Sequence, residues 1–416
     1  MSYFKYILLF ISFTSYSLLS PLSIDESLHF LTNNSPLGIN IYLGTPPQPH
    51  TITIDISESY SWIHKDIFDS SQSSTFISSS KESTAFQTTH FTPSGIESTD
   101  SLRIANTVLD NFTFYVVDTI KGQPHFLSTL SLGRNSDLIN NLFNHNKITY
   151  QSFSLELIDI ETQGILHVGN DINELVPNTT QQHQCKLINS KDDITKHKWG
   201  CQVTHVYLGN IESNANDKVS SISKYSLYTL KDNKESYGFF ETIYTKIFVP
   251  KDFIEYLDKY YFINEQSNIC VKQELNNKGE IIYKCDQSKI GSLTMNVNFI
   301  FDGKLSLYLQ PQDLITCTSP QNCEFVIAHH SDINYYAFGT PFLKLFHTYF
   351  DYKKDYLTFY SNSNFINVST TKKSNFLTYV IVVFTILIIL FILSRWYLGR
   401  RRLTKKILED KIYAEF

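Results

Sequence analysis

Leu43-Gly44-Thr45-Pro46-Pro47-Gln48 is followed by Thr51-Ile52-Thr53-Ile54-Asp55-Ile56-Ser57 and then by Trp62. Gly44 and the Pro46-Pro47 pair break regular structure and favour a tight turn. Thr51 to Ile54 alternates polar and apolar residues, the pattern of a half-buried β-strand. That strand delivers Asp55 between two isoleucines, where water is scarce and a carboxylate is pushed toward its protonated form.

Other landmarks surround this stretch. Phe68-Asp69-Ser70-Ser71-Gln72-Ser73-Ser74-Thr75-Phe76 follows Trp62-Ile63. Ser94-Gly95-Ile96 with Asp100-Ser101-Leu102, Leu130-Ser131-Leu132-Gly133, a short helical run from Asp137 to Phe143, and Gly164-Ile165-Leu166 come next, in that order. Together these resemble the N-terminal lobe of pepsin-like aspartic proteases, which read I-G-T-P-P-Q, a strand ending in D-T-G-S-S, L-W-V and F-x-P-S-x-S-S-T-F. The resemblance implies an all-β-dominated, bilobed pepsin-like fold with a central cleft and few short helices. It implies a polypeptide as substrate or ligand and no cofactor or metal. The chain departs from the pattern at its centre, with Asp55-Ile56-Ser57 in place of D-T-G. The family's flap tyrosine is also missing. Its position falls near Thr88, within Gln87-Thr88-Thr89-His90-Phe91, where His90 or Phe91 fills space but supplies no phenol. Trp62 is carried over as a cleft residue.

The second lobe begins near Lys198-Trp199, with Gln202 to Leu208 as a strand. Asp302-Gly303 lies between two β-rich runs and reads as a hairpin turn; it is also too close to Gly339 to leave room for the elements that follow a catalytic aspartate. Phe240-Glu241-Thr242-Ile243, leading to Pro250 and a helical run from Phe253 to Phe262 with Asp252 as its cap, matches the family's second F-D-T-G without a gap. The expected catalytic pair is therefore Asp55 and Glu241, a degenerate dyad. In the family two carboxylates about 3 Å apart share one proton; one activates water while the other protonates the scissile carbonyl. Each motif's threonine grips the opposite loop, and its glycine lets the backbone come close. Here one threonine is Ile56, both glycines are replaced (Ser57 and Ile243), and Glu241 is one methylene too long. A displacement of about 1 Å lowers the rate by roughly 10²-fold. Three functions follow: an impaired homologue that binds polypeptide, an active endopeptidase with an Asp55/Glu241 dyad, and a non-enzymatic surface or adhesion protein.

The 416 residues suffice for two lobes with real cores, and the net charge of −5 gives no sign of nucleic-acid binding. The 15 glycines are about half of average usage, fewer than this fold's special backbone positions call for. Residues 1–20 carry Lys5 and an apolar run from Ile7 to Leu19, a signal peptide with an uncleaved anchor as the alternative. Residues 21–37 are a short N-terminal extension, brief for an inhibitory prosegment. The lobes span 38–185 and 186–361, and 362–375 is a polar stalk. Residues 376–394 are uncharged and long enough to form a transmembrane helix, a buried core helix being the alternative. The basic run in 395–416 makes this end cytoplasmic and the topology type I, the body luminal or extracellular in the secretory pathway or at the plasma membrane. Tyr413-Ala414-Glu415-Phe416 has the form of a sorting-adaptor signal. Six cysteines in an oxidising compartment suggest disulfides. Cys185–Cys201 is one candidate; the other four allow several pairings, of which the resemblance favours Cys285–Cys317, leaving Cys270–Cys323. Asn33, Asn111, Asn178 and Asn367 head glycosylation sequons.

Overall fold

The computed structural model describes residues 22–367, less 32–35, 80–81, 87, 89–91, 122–125, 158–163, 178–179, 190–194, 210–226, 230–235, 263–268, 276–278, 294–295, 320 and 362–364. These residues form two large β-sheets with a few short helices, all in one compact unit, Met1–Val368. No helix among them is long and apolar enough to cross a membrane. The signal peptide, the 376–394 helix and the tail signal at Tyr413 and Phe416 lie outside the described residues, as do Asn33, Asn178, His90 and Phe91.

The first sheet carries the quoted stretch. Gln48–Asp55 pairs antiparallel with Leu37–Leu43 and parallel with Ser128–Ser131, so that Asp55 stands opposite Ser131. Ile52, Ile54 and Ile56 are buried on its core face. Asp137–Asn144 is helical as expected; its Ser136 cap accepts from the Leu138 amide at 3.3 Å. The long return strand Thr92–Ile104 pairs with Thr107–Lys121 in a hairpin. Asn111 is exposed with φ +58°, and Asn367 lies on the strand Phe365–Asn367.

The N-terminal extension is not merely a linker. Ile24–Phe30 forms a strand that pairs with Gly164–Val168 and, through His29 and Phe30, with Leu37–Leu43. Ile24 and Leu28 are buried and Phe30 is partly buried against the same core, a pattern too sparse to mark a strand. The sheet continues through Ser152–Leu157 into His347–Asp351 and Tyr356–Ser361. Two strands from the end of the body thus return to the first sheet, whereas Phe365–Asn367 pairs with Leu305–Leu309 in the second.

In the second sheet, Tyr237–Phe240 runs parallel to Tyr336–Phe338, repeating the parallel pair around Asp55. Phe240, Phe299, Phe301, Phe338 and Phe342 pack ring against ring in its core, each buried. Asp302 and Gly303 both have positive φ, +51° and +67°, and close the hairpin between Val297–Phe301 and Leu305–Leu309 as read from the sequence. Pro250, not Asp252, caps the helix Lys251–Leu257; Asp252 sits in its first turn.

Cys185 is bonded to Cys201. The other pairings differ from the expectation: the bonds are Cys270–Cys285 and Cys317–Cys323, not Cys270–Cys323 and Cys285–Cys317. Strand register decides this. Cys270 faces Cys285 across one hairpin, and Cys317 faces Cys323 across the next.

Candidate active site

Asp55 ends its strand and Glu241 follows Tyr237–Phe240. Both are buried, at 2% and 0% exposure. The backbone that holds each is pinned from behind by a neighbouring strand. The Leu132 amide donates to the Asp55 carbonyl at 2.8 Å, and the Glu241 amide donates to the Phe338 carbonyl at 3.0 Å. Gly133 and Gly339 follow these strands at matched places. A Cβ on Gly133 would stand 2.2 Å from the Glu58 carbonyl oxygen, and one on Gly339 would stand 2.2 Å from that of Lys246. Both glycines are required by this close approach of backbone to backbone.

Half of the threonine grip is present. Thr242 Oγ1 donates to the Ile54 carbonyl at 2.6 Å and accepts from the Ile56 amide at 3.3 Å, tying the second lobe's loop to the first. Ile56 has no hydroxyl to return the bond. Ser57, in the place of glycine, instead serves Asp55: its amide and hydroxyl both donate to Asp55 Oδ1, at 2.8 and 2.7 Å.

A lysine that sequence reasoning passed over stands in the same pocket. Lys198 Nζ lies 2.5 Å from Glu241 Oε1, and both side chains have no exposed surface. Glu241 Oε2 is buried without a hydrogen-bond partner in the protein. Burial opposes the lysine's charge, but Glu241 first and then Tyr335 and Glu58 outweigh it and hold Lys198 protonated well above the ordinary lysine range. Asp55 is pushed up to about 6, by burial first and by the Glu241 charge second, against the two Ser57 hydrogen bonds and Lys198. The Asp55 and Glu241 carboxylates therefore sit within each other's field. Tyr335 is raised to about 12, chiefly by burial, with Lys198 acting the other way. Tyr244 is raised well above its usual value by burial, then by Glu241, Tyr335, Asp55 and Glu58.

The structure thus brings Asp55 and Glu241 together and adds Glu58, Lys198, Tyr244 and Tyr335. Nothing in the sequence marks Lys198: a lysine next to Trp199 in an extended segment is expected to point to the opposite, solvent-facing side. Trp62 is buried against Phe86, Val117 and Phe126 in a side cluster of the first lobe. Among the described residues no cluster of acids, histidines and cysteines is arranged to hold a metal ion. A separate cavity of about 320 Å³, lined by Arg134, Lys196, Trp199, Asp351, Tyr352 and Lys354 among others, is polar and lies apart from both carboxylates. Arg134 there donates to the Ile188 carbonyl, and Lys354 pairs with Asp351.

Two buried acids are thus presented by matched loops of two similar sheets. The family model for eukaryotic aspartyl protease matches residues 38–361, and the chain belongs to that family. It is similar in fold to the crystal structure of an aspartic proteinase from Irpex lacteus, with TM-score 0.60, 15% identity, and coverage of 84% of this chain and 99% of that one. No curated protein matches it.

Proposed function

We propose that this protein is a catalytically impaired pepsin-like peptidase homologue that binds polypeptide in its cleft without cutting it. The observation that carries the reading is the buried Lys198–Glu241 ion pair. Family catalysis needs two carboxylates that pass one proton between them. Here one carboxylate is committed to an ammonium ion, and the shared proton has lost one of its two seats. Asp55, with two donors on Oδ1, is left to act alone. Above pH 6 it is an isolated base with no acid opposite; below pH 6 it is neutral. The absent second threonine, at Ile56, removes part of the clasp that holds such loops in register.

The second reading, an active Asp55/Glu241 endopeptidase, is favoured by the mutual field of the two acids and by the surviving Thr242 grip. Localisation belongs to the same proposal. The 1–20 signal, the 376–394 span and the basic tail make a type I protein of the secretory pathway or plasma membrane, with the body luminal or extracellular. Tyr413 to Phe416 is its adaptor signal, and Asn33, Asn111, Asn178 and Asn367 are its glycan positions.

Incubating the purified full chain with a peptide library between pH 4 and 7, with mass-spectrometric readout, separates these readings. Saturable peptide binding with no cleavage is the expected result. Cleavage that Asp55→Ala abolishes overturns the proposal in favour of the active dyad. Neither binding nor cleavage favours a surface or adhesion protein.

A further inference from the structure

Four cysteines of the second lobe lie in a single cross-strand row. Cys270 is the register partner of Cys285, Cys285 of Cys323, and Cys323 of Cys317, across the strands Cys270–Leu275, Glu280–Cys285, Asn322–Phe325 and Ile315–Ser319. Directly opposed residues of antiparallel strands project from the same face, with Cβ atoms roughly 4.5–5.5 Å apart. All four sulfurs therefore share one face of the sheet. The two disulfides occupy the outer steps of the row, and its middle step, Cys285 to Cys323, has the same pairing but no bond.

The members differ in access. Cys317 is exposed and Cys285 is half-buried, whereas Cys323 is 1% and Cys270 5% exposed. An external thiolate therefore reaches the row most readily at Cys317. We propose that Cys317–Cys323 is a thiol-exchange site, whose reactant is a small-molecule or protein thiol, and that the exchange is relayed inward to Cys285. The incoming thiolate attacks Cys317 Sγ, forming a mixed disulfide and expelling the Cys323 thiolate. Cys323 then attacks Cys285 Sγ, forming Cys285–Cys323 and expelling the Cys270 thiolate. Two disulfides and one thiolate enter, two disulfides and one thiolate leave, and nothing is oxidised or reduced overall. Attack must come from a thiolate along the row. Well-oriented intramolecular attack has effective molarities of about 10⁵ M or more, so it outruns a second millimolar external thiol even after a large geometric discount. In the product the central strands are bridged, and the outer strand from Cys270 to Leu275 keeps its ladder to Glu280–Cys285 but loses its covalent tie. That strand carries the exposed Val271 and Leu275.

The test treats the native full chain with reduced glutathione, quenches with acid, alkylates in denaturant and maps the peptides by mass spectrometry. The expected species carries glutathione on Cys317, a Cys285–Cys323 bridge and alkylated Cys270, with alkylation of Cys270 at least tenfold above that of Cys323. The double variant Cys270→Ser/Cys285→Ser removes the acceptor, and in it Cys323 becomes the alkylated residue. A second variant, Cys317→Ser, places the Cys323 thiol in the row without any added reagent and should yield the same Cys285–Cys323 bridge with Cys270 free. Alkylated Cys323 beside an intact Cys270–Cys285 bond, in the native chain or in Cys317→Ser, overturns the proposal. So does glutathione found first on Cys270 or Cys285.

Discussion

Lys198→Met is the perturbation whose outcome the structure specifies most fully. It removes the ammonium group 2.5 Å from Glu241 and leaves the carboxylate in a pocket with no exposed surface. Breaking one side of a buried ion pair is destabilising by about 3–5 kcal/mol. The penalty falls on the charged form alone, so it depends on pH. In the unfolded chain a glutamate ionises near pH 4.3; a stranded one keeps its proton in the folded state. The folded variant then binds the extra proton, and stability falls as pH rises, by about 1.36 kcal/mol per unit above that point. Between pH 4.3 and 7 this amounts to about 3.7 kcal/mol, within the range for a broken pair. With a denaturant slope of about 3 kcal/mol per molar, the urea midpoint at pH 7 drops by about 1 M relative to the native chain, and that at pH 4.5 by far less. Lys198→Met/Glu241→Gln, which leaves no charge behind, recovers most of the loss at pH 7. An equal drop at both pH values would mean that lost packing, not a stranded charge, is responsible. No drop at pH 7 would refute the buried pair altogether.

Three more outcomes follow from the same structure. His347 stacks on His167, and burial with the His167 charge lowers it to about 4; the unfolded chain takes up its proton from about pH 6.5 downward, so this residue removes up to about 3 kcal/mol as pH falls to 4. Asp55, raised to about 6, acts in the opposite sense, destabilising as pH rises between 3.8 and 6; His347→Asn should therefore make the pH slope of the melting temperature over that window more negative than in the native chain, as a pH series of thermal melts on both would detect. Thr242→Val strips the Ile54 carbonyl of its donor and the Ile56 amide of its acceptor, at about 1–3 kcal/mol by urea unfolding, whereas Thr242→Ser keeps both. Asp302→Val forces a β-branched residue to φ +51° and removes the acceptor of the Lys186 amide, so thermal unfolding should register a loss of about 1–2 kcal/mol or more, with Asp302→Gly milder because only the second effect remains.

The features legible in the sequence were those set by local chemistry. The turn at Gly44 to Gln48, the Thr51 to Ile54 alternation and the Asp302-Gly303 hairpin each follow from residues adjacent in the chain. The segment Leu130 to Gly133 was marked only by the family resemblance; that neither Gly133 nor Gly339 has room for a side chain became visible only in the structure. Partners distant in sequence were not legible. Lys198 is 43 residues from Glu241, and no periodicity links them. The cysteine pairs depend on which strands become neighbours and in what register, so a family pattern gave the wrong partners for Cys270 and Cys317. Ile24–Phe30 went unread because only Ile24, Leu28 and the partly buried Phe30 are apolar, a spacing that is not the full alternation of a strand. The Ser57 hydrogen bonds show a substitution that keeps the acid supported: the backbone amide still donates to Asp55 Oδ1, and the hydroxyl adds a second bond.

The most direct measurement of the central claim is a carboxyl titration of the native protein by ¹³C NMR, with Asp55→Asn and Glu241→Gln to assign the signals. If Glu241 is committed to Lys198, a single buried carboxyl step appears near pH 6, and Asp55→Asn removes it. Glu241→Gln moves that step downward by removing the neighbouring charge, whereas a second buried carboxyl step in the same range, lost in Glu241→Gln, would show a proton shared between Asp55 and Glu241 and would contradict the account.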